Sequence, residues 1–205
     1  MRKPFTLLFI SFLLLLNLIT SDSKAITILR GHVAIKVIHE LVRNGGFEIV
    51  GTGIFPEVSD DDGLFEGWYE IEGAGTLIRT IAAGEFHSGS AALKMTTGIA
   101  APNTHVYDAF VVAPGGTYRY EIWVRSEAVG GVEGRWCIYD WINWAYITFP
   151  AGLHGTGVTG STWTLITGTF IAPAGCTLAG VYLYCPVTIG KIVWFDDVSV
   201  KQVVE

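Results

Sequence analysis

From residue 76 to residue 200 the chain is a succession of short runs in which apolar and polar residues alternate, closed by glycine- and proline-containing turns. A period of two sorts side chains onto the opposite faces of an extended strand, and it cannot stripe one side of a helix. The runs lie at 76–82, 91–96, 106–112, 118–125, 135–139, 163–171, 181–184 and 191–200. In the run 118–125, Tyr118, Tyr120, Ile122 and Val124 share one face, and Arg119, Glu121, Trp123 and Arg125 share the other. Composition agrees, because 25 glycines with 13% aromatic and only 16% charged residues suit short strands joined by tight turns. Beyond residue 25 no block carries a convincing helical period. Two segments echo each other, 110–117 (FVVAPGGT) and 170–177 (FIAPAGCT), and both read as hairpin units. Eight or more strands at this spacing predict an all-β fold, a two-sheet antiparallel jelly-roll sandwich. At 205 residues the chain has room for one such domain and is too short for two ordinary ones.

Residues 1–25 read as a secretory signal peptide. Arg2 and Lys3 supply the positive start, an apolar run covers 6–20, and Ser23 and Ala25 place small residues before a cut after Ala25. The apolar run is about 15 residues, shorter than the roughly 20 that span a bilayer. An uncleaved anchor is the alternative; export to a secreted or surface-attached location is the expectation. Residues 26–40 then form an apolar extension. Ile26 and Ile28 alternate with Thr27, and Val33, Ile35 and Val37 alternate with Ala34 and Lys36. That is a strand pattern and not the composition of a flexible linker. The jelly-roll domain is assigned to 41–205.

With 19 acidic against 13 basic residues the net charge is −6, and signal removal makes it more negative. A chain so poor in clustered Lys and Arg is excluded as a nucleic-acid binder and as a ligand of anionic membranes. Neutral glycans, cations and other protein chains remain as partners. The three cysteines, Cys137, Cys176 and Cys185, are odd in number, so at least one is a free or intermolecular thiol. Cys176 and Cys185 flank one expected strand and would sit about 30 Å apart, too far to pair. Buried free thiols are expected, with a pairing of Cys137 left open.

The segment 155–160 (GTGVTG) matches a dinucleotide fingerprint by letter, but a strand follows it where the mechanism needs a helix. It is a glycine turn, and no organic cofactor is expected. The aspartates at 60–62 lack the alternating spacing of a calcium loop. Five scattered histidines show no metal spacing, and His39-Glu40 lacks the second histidine of a zinc protease. Glu66, Glu70 and Glu72 could pair for glycoside hydrolysis, though strand capping explains them more simply. No enzyme is predicted.

The densest chemical feature is aromatic: Trp136, Tyr139, Trp141, Trp144 and Tyr146. Alternation puts Trp136, Ile138 and Asp140 on one face of a strand and Cys137 and Tyr139 on the other, with 141–146 leaving as a loop. Trp123, Arg119, Glu121 and Arg125 are candidates to share the outward face. These aromatics either fill the core or meet a sugar or a protein partner.

Several motifs then fall in a familiar order: Asn44-Gly45-Gly46-Phe47-Glu48, Phe65-Glu66-Gly67-Trp68, and residues 87–94 (HSGSAALK). Ala113-Pro114-Gly115 with Tyr118, Trp163-Thr164 with Phe170, and the closing run 194–200 (WFDDVSV) complete the set. Over residues 41–200 the chain resembles the carbohydrate-binding modules of the galactose-binding-like jelly-roll group, found on xylanases and glucanases and in phage virion proteins. The resemblance implies a concave sheet whose aromatic and polar residues meet sugar rings. It also implies a structural calcium near the joined chain ends, held by Glu48 and by Asp196 or Asp197 with carbonyls near His87 and Ser88. Capping of strands by the same carboxylates is the alternative.

Two functions follow. The first is a non-catalytic extracellular structural subunit of a fibre, surface layer or virion, assembling head-to-tail through the apolar strand 26–40. It explains a module with no catalytic domain beside it. The second is a stand-alone, lectin-like module that recognises a neutral polysaccharide through its aromatic platform.

Overall fold

The computed structural model describes residues 25–29, 32–36, 39–50, 65, 67–71, 75–97, 104–127, 135–148, 160–184 and 189–203. The segment before Ala25 that reads as a signal peptide, Val37, the aspartates at 60–62, Glu66, Glu72, the glycine run before Gly160 and Cys185 lie outside them.

The apolar extension is two strands, where the alternation had been read as a single one. β1 (Ala25–Leu29) pairs antiparallel with β2 (His32–Lys36), Ile26 opposite Ile35 and Ile28 opposite Val33. Two residues, Arg30 and Gly31, separate the strands in the sequence. This hairpin is a unit by itself, distinct from the compact body that starts at Glu40.

That body is a sandwich of two five-stranded antiparallel sheets. The first sheet runs β10 (Thr164–Ile171), β7 (Thr117–Ser126), β12 (Ile192–Gln202), β5 (Ala92–Thr97), β4 (Gly75–Thr80). The second runs β3 (Tyr69–Ile71), β6 (His105–Val111), β11 (Leu178–Tyr184), β8 (Arg135–Asp140), β9 (Ala145–Thr148). Both sheets order their strands non-sequentially, as a jelly roll does. Eight strands match the alternating runs, with ends moved by up to three residues. The edge strands β3 and β9 have three and four residues, too short for alternation to register.

The two echoing segments are arches between the sheets and not hairpins. β6 and β7 belong to different sheets, as do β10 and β11, so each turn carries the chain across the core. They also bond to each other: Gly115 N–H donates to the Ala172 carbonyl at 2.8 Å, and Ala172 N–H to the Gly116 carbonyl at 3.0 Å.

Inward-facing alternate residues fill the interior: Leu93, Met95, Ile122, Val124 and Phe195 from one sheet, Val106, Trp136, Ile138, Val181 and Leu183 from the other. Tyr120 meets Trp136 across the gap, ring centroids 4.6 Å apart. The opening Asn-Gly-Gly-Phe-Glu closes one end. Phe47 is fully buried against Phe65 and Trp68 at 5.0 and 5.1 Å. A Cβ on Gly45 would lie 1.8 Å from the Val198 carbonyl oxygen, so only glycine lets the chain pass there. Cys137 and Cys176 are free and buried. Among the described residues no helix is long and apolar enough to cross a membrane.

Candidate functional site

On β11, alternation turns Ala179, Val181 and Leu183 inward and leaves Gly180, Tyr182 and Tyr184 on the outer face of the second sheet. β6 places His105 and Tyr107 on the same face, because Val106, Asp108 and Phe110 point in. Register brings them together: Tyr107 is opposite Tyr182 on one side and Tyr69 on the other, and His105 is opposite Tyr184. The phenol rings of Tyr69 and Tyr107 stack at 4.9 Å, and so do those of Tyr107 and Tyr182. β8 adds Tyr139, which faces Gly180 on β11 and Tyr146 on β9.

Over this floor stands the turn between β8 and β9. Trp141 packs against Tyr107 at 5.3 Å and Tyr182 at 5.8 Å, and meets Trp144 edge-on at 5.7 Å. Its indole crosses Gly180, where a Cβ would lie 2.8 Å from Nε1. Glycine at 180 therefore makes the seat for Trp141. Trp144 is 70% exposed, a bare aromatic face at the rim. The result is a cleft of about 320 Å³ walled by Trp141, Trp144, Tyr139 and Tyr146 and floored by Tyr107, Tyr182, Tyr184 and His105, with Ile71 also in its lining.

Among the described residues no Asp, Glu, Lys or Arg lines this cleft. Burial pushes the phenols of Tyr182 and Tyr184 well above the ordinary tyrosine range, helped for Tyr182 by Tyr107 and for Tyr184 by Cys137. They remain neutral O–H groups that donate and accept hydrogen bonds. Cys137 lies 3.7 Å from the Tyr184 hydroxyl, and burial pushes its thiol up to about 12, so no thiolate forms there. The described lining thus offers stacking faces and neutral hydroxyls. It has no pair of carboxyl groups for glycoside hydrolysis.

Four predicted residues meet here: Tyr139, Trp141, Trp144 and Tyr146. Trp136 does not. It is 1% exposed in the core, since alternation on β8 turns it away from Tyr139. Trp123, Arg119, Glu121 and Arg125 sit on β7 in the other sheet, apart from the cleft. There His87 stacks on the Trp123 ring at 3.7 Å, Arg119 pairs with Glu121 at 2.6 Å, and Arg125 lies over Trp194 at 4.6 Å. Ile71, His105, Tyr107, Tyr182 and Tyr184 escaped notice, although aromatic residues two apart on two strands were a readable sign.

Glu48, Asp196 and Asp197 gather around the loop 87–91. Asp196 is fully buried; its Oδ2 accepts the N–H of His87 at 2.7 Å and of Ser88 at 3.1 Å. Asp197 takes the His87 ring at 2.7 Å and the Ser88 hydroxyl at 2.8 Å. Glu48 accepts the Ser90 N–H at 2.7 Å and its hydroxyl at 2.6 Å. These are loop caps. The donor set is one of hard oxygens, which suits calcium, but among the described residues no three metal-capable side chains converge on one point. Carbonyl oxygens would have to complete a coordination shell.

No protein-family model matches the chain, and no curated protein is similar to it in sequence. Solved structures are similar in fold. The chain is a jelly roll, and solved carbohydrate-binding modules share that fold. The xylan-binding CBM22-1 domain of Paenibacillus barcinonensis Xyn10C is similar with a TM-score of 0.53 at 13% identity, over 91% of this chain and 99% of that one. A CBM4 module matches with the same score and identity over 79% and 99%. The enzymatically active domain of bacteriophage CBA120 tailspike protein 4 matches at 0.50 and 11% identity, over 67% of this chain, which spans 20% of that domain.

Proposed function

We propose that this chain is a non-catalytic, exported glycan-binding module that holds a neutral polysaccharide in the aromatic cleft of its second sheet. The observation that carries the reading is the cleft itself: four strands and a turn deliver aromatic faces and neutral hydroxyls to one place, with no Asp, Glu, Lys or Arg among the described residues that line it. A pyranose ring stacks its C–H face on an aromatic ring and hydrogen-bonds at its edge, and this lining supplies both. The similarity in fold to modules such as the xylan-binding one supports the same reading. Native affinity electrophoresis against a panel of soluble neutral polysaccharides tests it. At least one is expected to retard the protein and to be recovered uncut; a panel in which none does ends the reading.

Assembly through the N-terminal segment is the second reading, and no feature among the described residues favours it. β1 and β2 pair with each other, which already occupies one edge of each strand. Deleting residues 26–40 is expected to leave the hydrodynamic size of the mature protein unchanged. A fall from polymer to monomer would restore the assembly reading.

Calcium at Glu48 and Asp196 or Asp197 is a separate proposal. Burial, together with the neighbouring Asp197, pushes the Asp196 carboxyl up to about 6, despite three N–H donors. A buried carboxylate gains from a hard cation. Calcium is expected to raise Tm and a chelator to reverse the rise; no shift at millimolar calcium removes the ion from the account.

A further inference from the structure

We propose that Asp140 is the positioning residue of the aromatic cleft: at the end of β8 its carboxylate ties down the turn that carries Trp141 and Trp144, so both indoles are in place before a ligand arrives. The functional half of this inference rests on the glycan-binding reading; the structural half does not.

Asp140 is 1% exposed, and the register of two ladders fixes it, opposite Ala179 on β11 and Ala145 on β9. Its Oδ1 accepts the N–H of Ile142 at 2.8 Å and of Asn143 at 3.0 Å. Its Oδ2 accepts the Asn143 side-chain amide at 2.7 Å. These three donors belong to the turn, and the Cys176 thiol, outside it, is a further one. The Trp141 N–H, bonded to the Leu178 carbonyl at 3.1 Å, anchors the turn's other side.

Two features point to the turn, and not to a polar bond of the indoles, as what sets the geometry. Trp141 Nε1 is buried without a hydrogen-bond partner, so the ring's only polar handle does not hold it. Trp144 has φ of 54°, a left-handed conformation that costs a bulky residue about 1–3 kcal/mol and persists only where its surroundings impose it. The carboxylate bonds supply that imposition. Burial raises the Asp140 carboxyl, but the Asn143 and Ile142 donors outweigh it and hold the group below the ordinary aspartate range. The acceptor is therefore ionised at neutral pH, where its bonds are charge-assisted. Binding to a preset platform avoids the cost of ordering it.

The test is a hydrogen-bond reversal. Asp140→Asn keeps one acceptor oxygen for the two backbone N–H groups but removes the charge that strengthens all three bonds, and the Asn143 amide must rotate to accept a neutral one. Adding Asn143→Asp restores the pair with donor and acceptor exchanged. The first readout is the exciton couplet of the Trp141–Trp144 pair in circular dichroism, taken without ligand as the difference from Trp141→Ala. The second is retention by whichever panel polysaccharide retards the wild type. Asp140→Asn is expected to lose the couplet and at least ten-fold in retention while Tm moves by only a few degrees, and the double variant is expected to regain both. A couplet and retention unchanged in Asp140→Asn overturn the proposal. So does a folded double variant that regains neither. Should Asp140→Asn not fold, Asn143→Ala removes only the amide bond, and a couplet equal to wild type there overturns the proposal too. If no polysaccharide retards the wild type, the glycan reading fails alone and the couplet still decides the role of Asp140.

Discussion

Trp141→Ala is expected to weaken polysaccharide retention by about 30-fold or more, on the order of 2 kcal/mol, the loss typical of a central aromatic anchor. Trp141 touches the floor at Tyr107 and Tyr182 and the rim at Trp144, so its removal takes out a wall and releases a second one. The empty space over Gly180 would fill with water, which a sugar face cannot stack on. Stability should change little, because the ring covers the outer face of the sheet and belongs to no part of the core. Affinity electrophoresis beside a thermal melt checks both halves. Retention equal to wild type would place the ligand elsewhere.

The reverse result is expected for Trp136→Ala. This indole is among the largest fully buried side chains and spans the interior to Tyr120. Truncating it leaves a cavity between the sheets, at a cost of about 3–5 kcal/mol. For a domain of this size that lowers Tm by on the order of 10 °C. Wherever the variant remains folded, its retention should match wild type, since Tyr139 faces the opposite way from the same strand. Two tryptophans five positions apart thus divide between binding and stability, and a melt unaffected by Trp136→Ala would contradict the core described here.

The same division shows what the sequence made readable. Alternation on β7 and β8 was clear enough to give the sandwich and the facing of each residue, because a buried face selects for it. It put Trp136 and Tyr139 on opposite faces without saying which face was inner, and Trp136 was therefore counted with the sugar platform. Nor does alternation tell which strands are neighbours. β7 and β8 follow each other in the chain but lie in different sheets, so Trp123 and Trp141 are close in sequence and unrelated in the site. His105 and Tyr107 on β6 and Tyr182 and Tyr184 on β11 meet only through a pairing between residues more than 70 apart, which a single sequence does not reveal. The hairpin of β1 and β2 was missed because Arg30-Gly31 is so short a break in an otherwise continuous apolar run.

Indole N–H resonances give the most direct test of where a sugar sits, since the chain has seven tryptophans with one such proton each. Titrating the labelled protein with an oligosaccharide of whichever neutral polysaccharide retards it should move the Trp141 and Trp144 signals and leave those of Trp123, Trp163 and Trp194 in place. Shifts confined to Trp123, on the other sheet, and Trp163, just before that sheet's β10, would contradict the account.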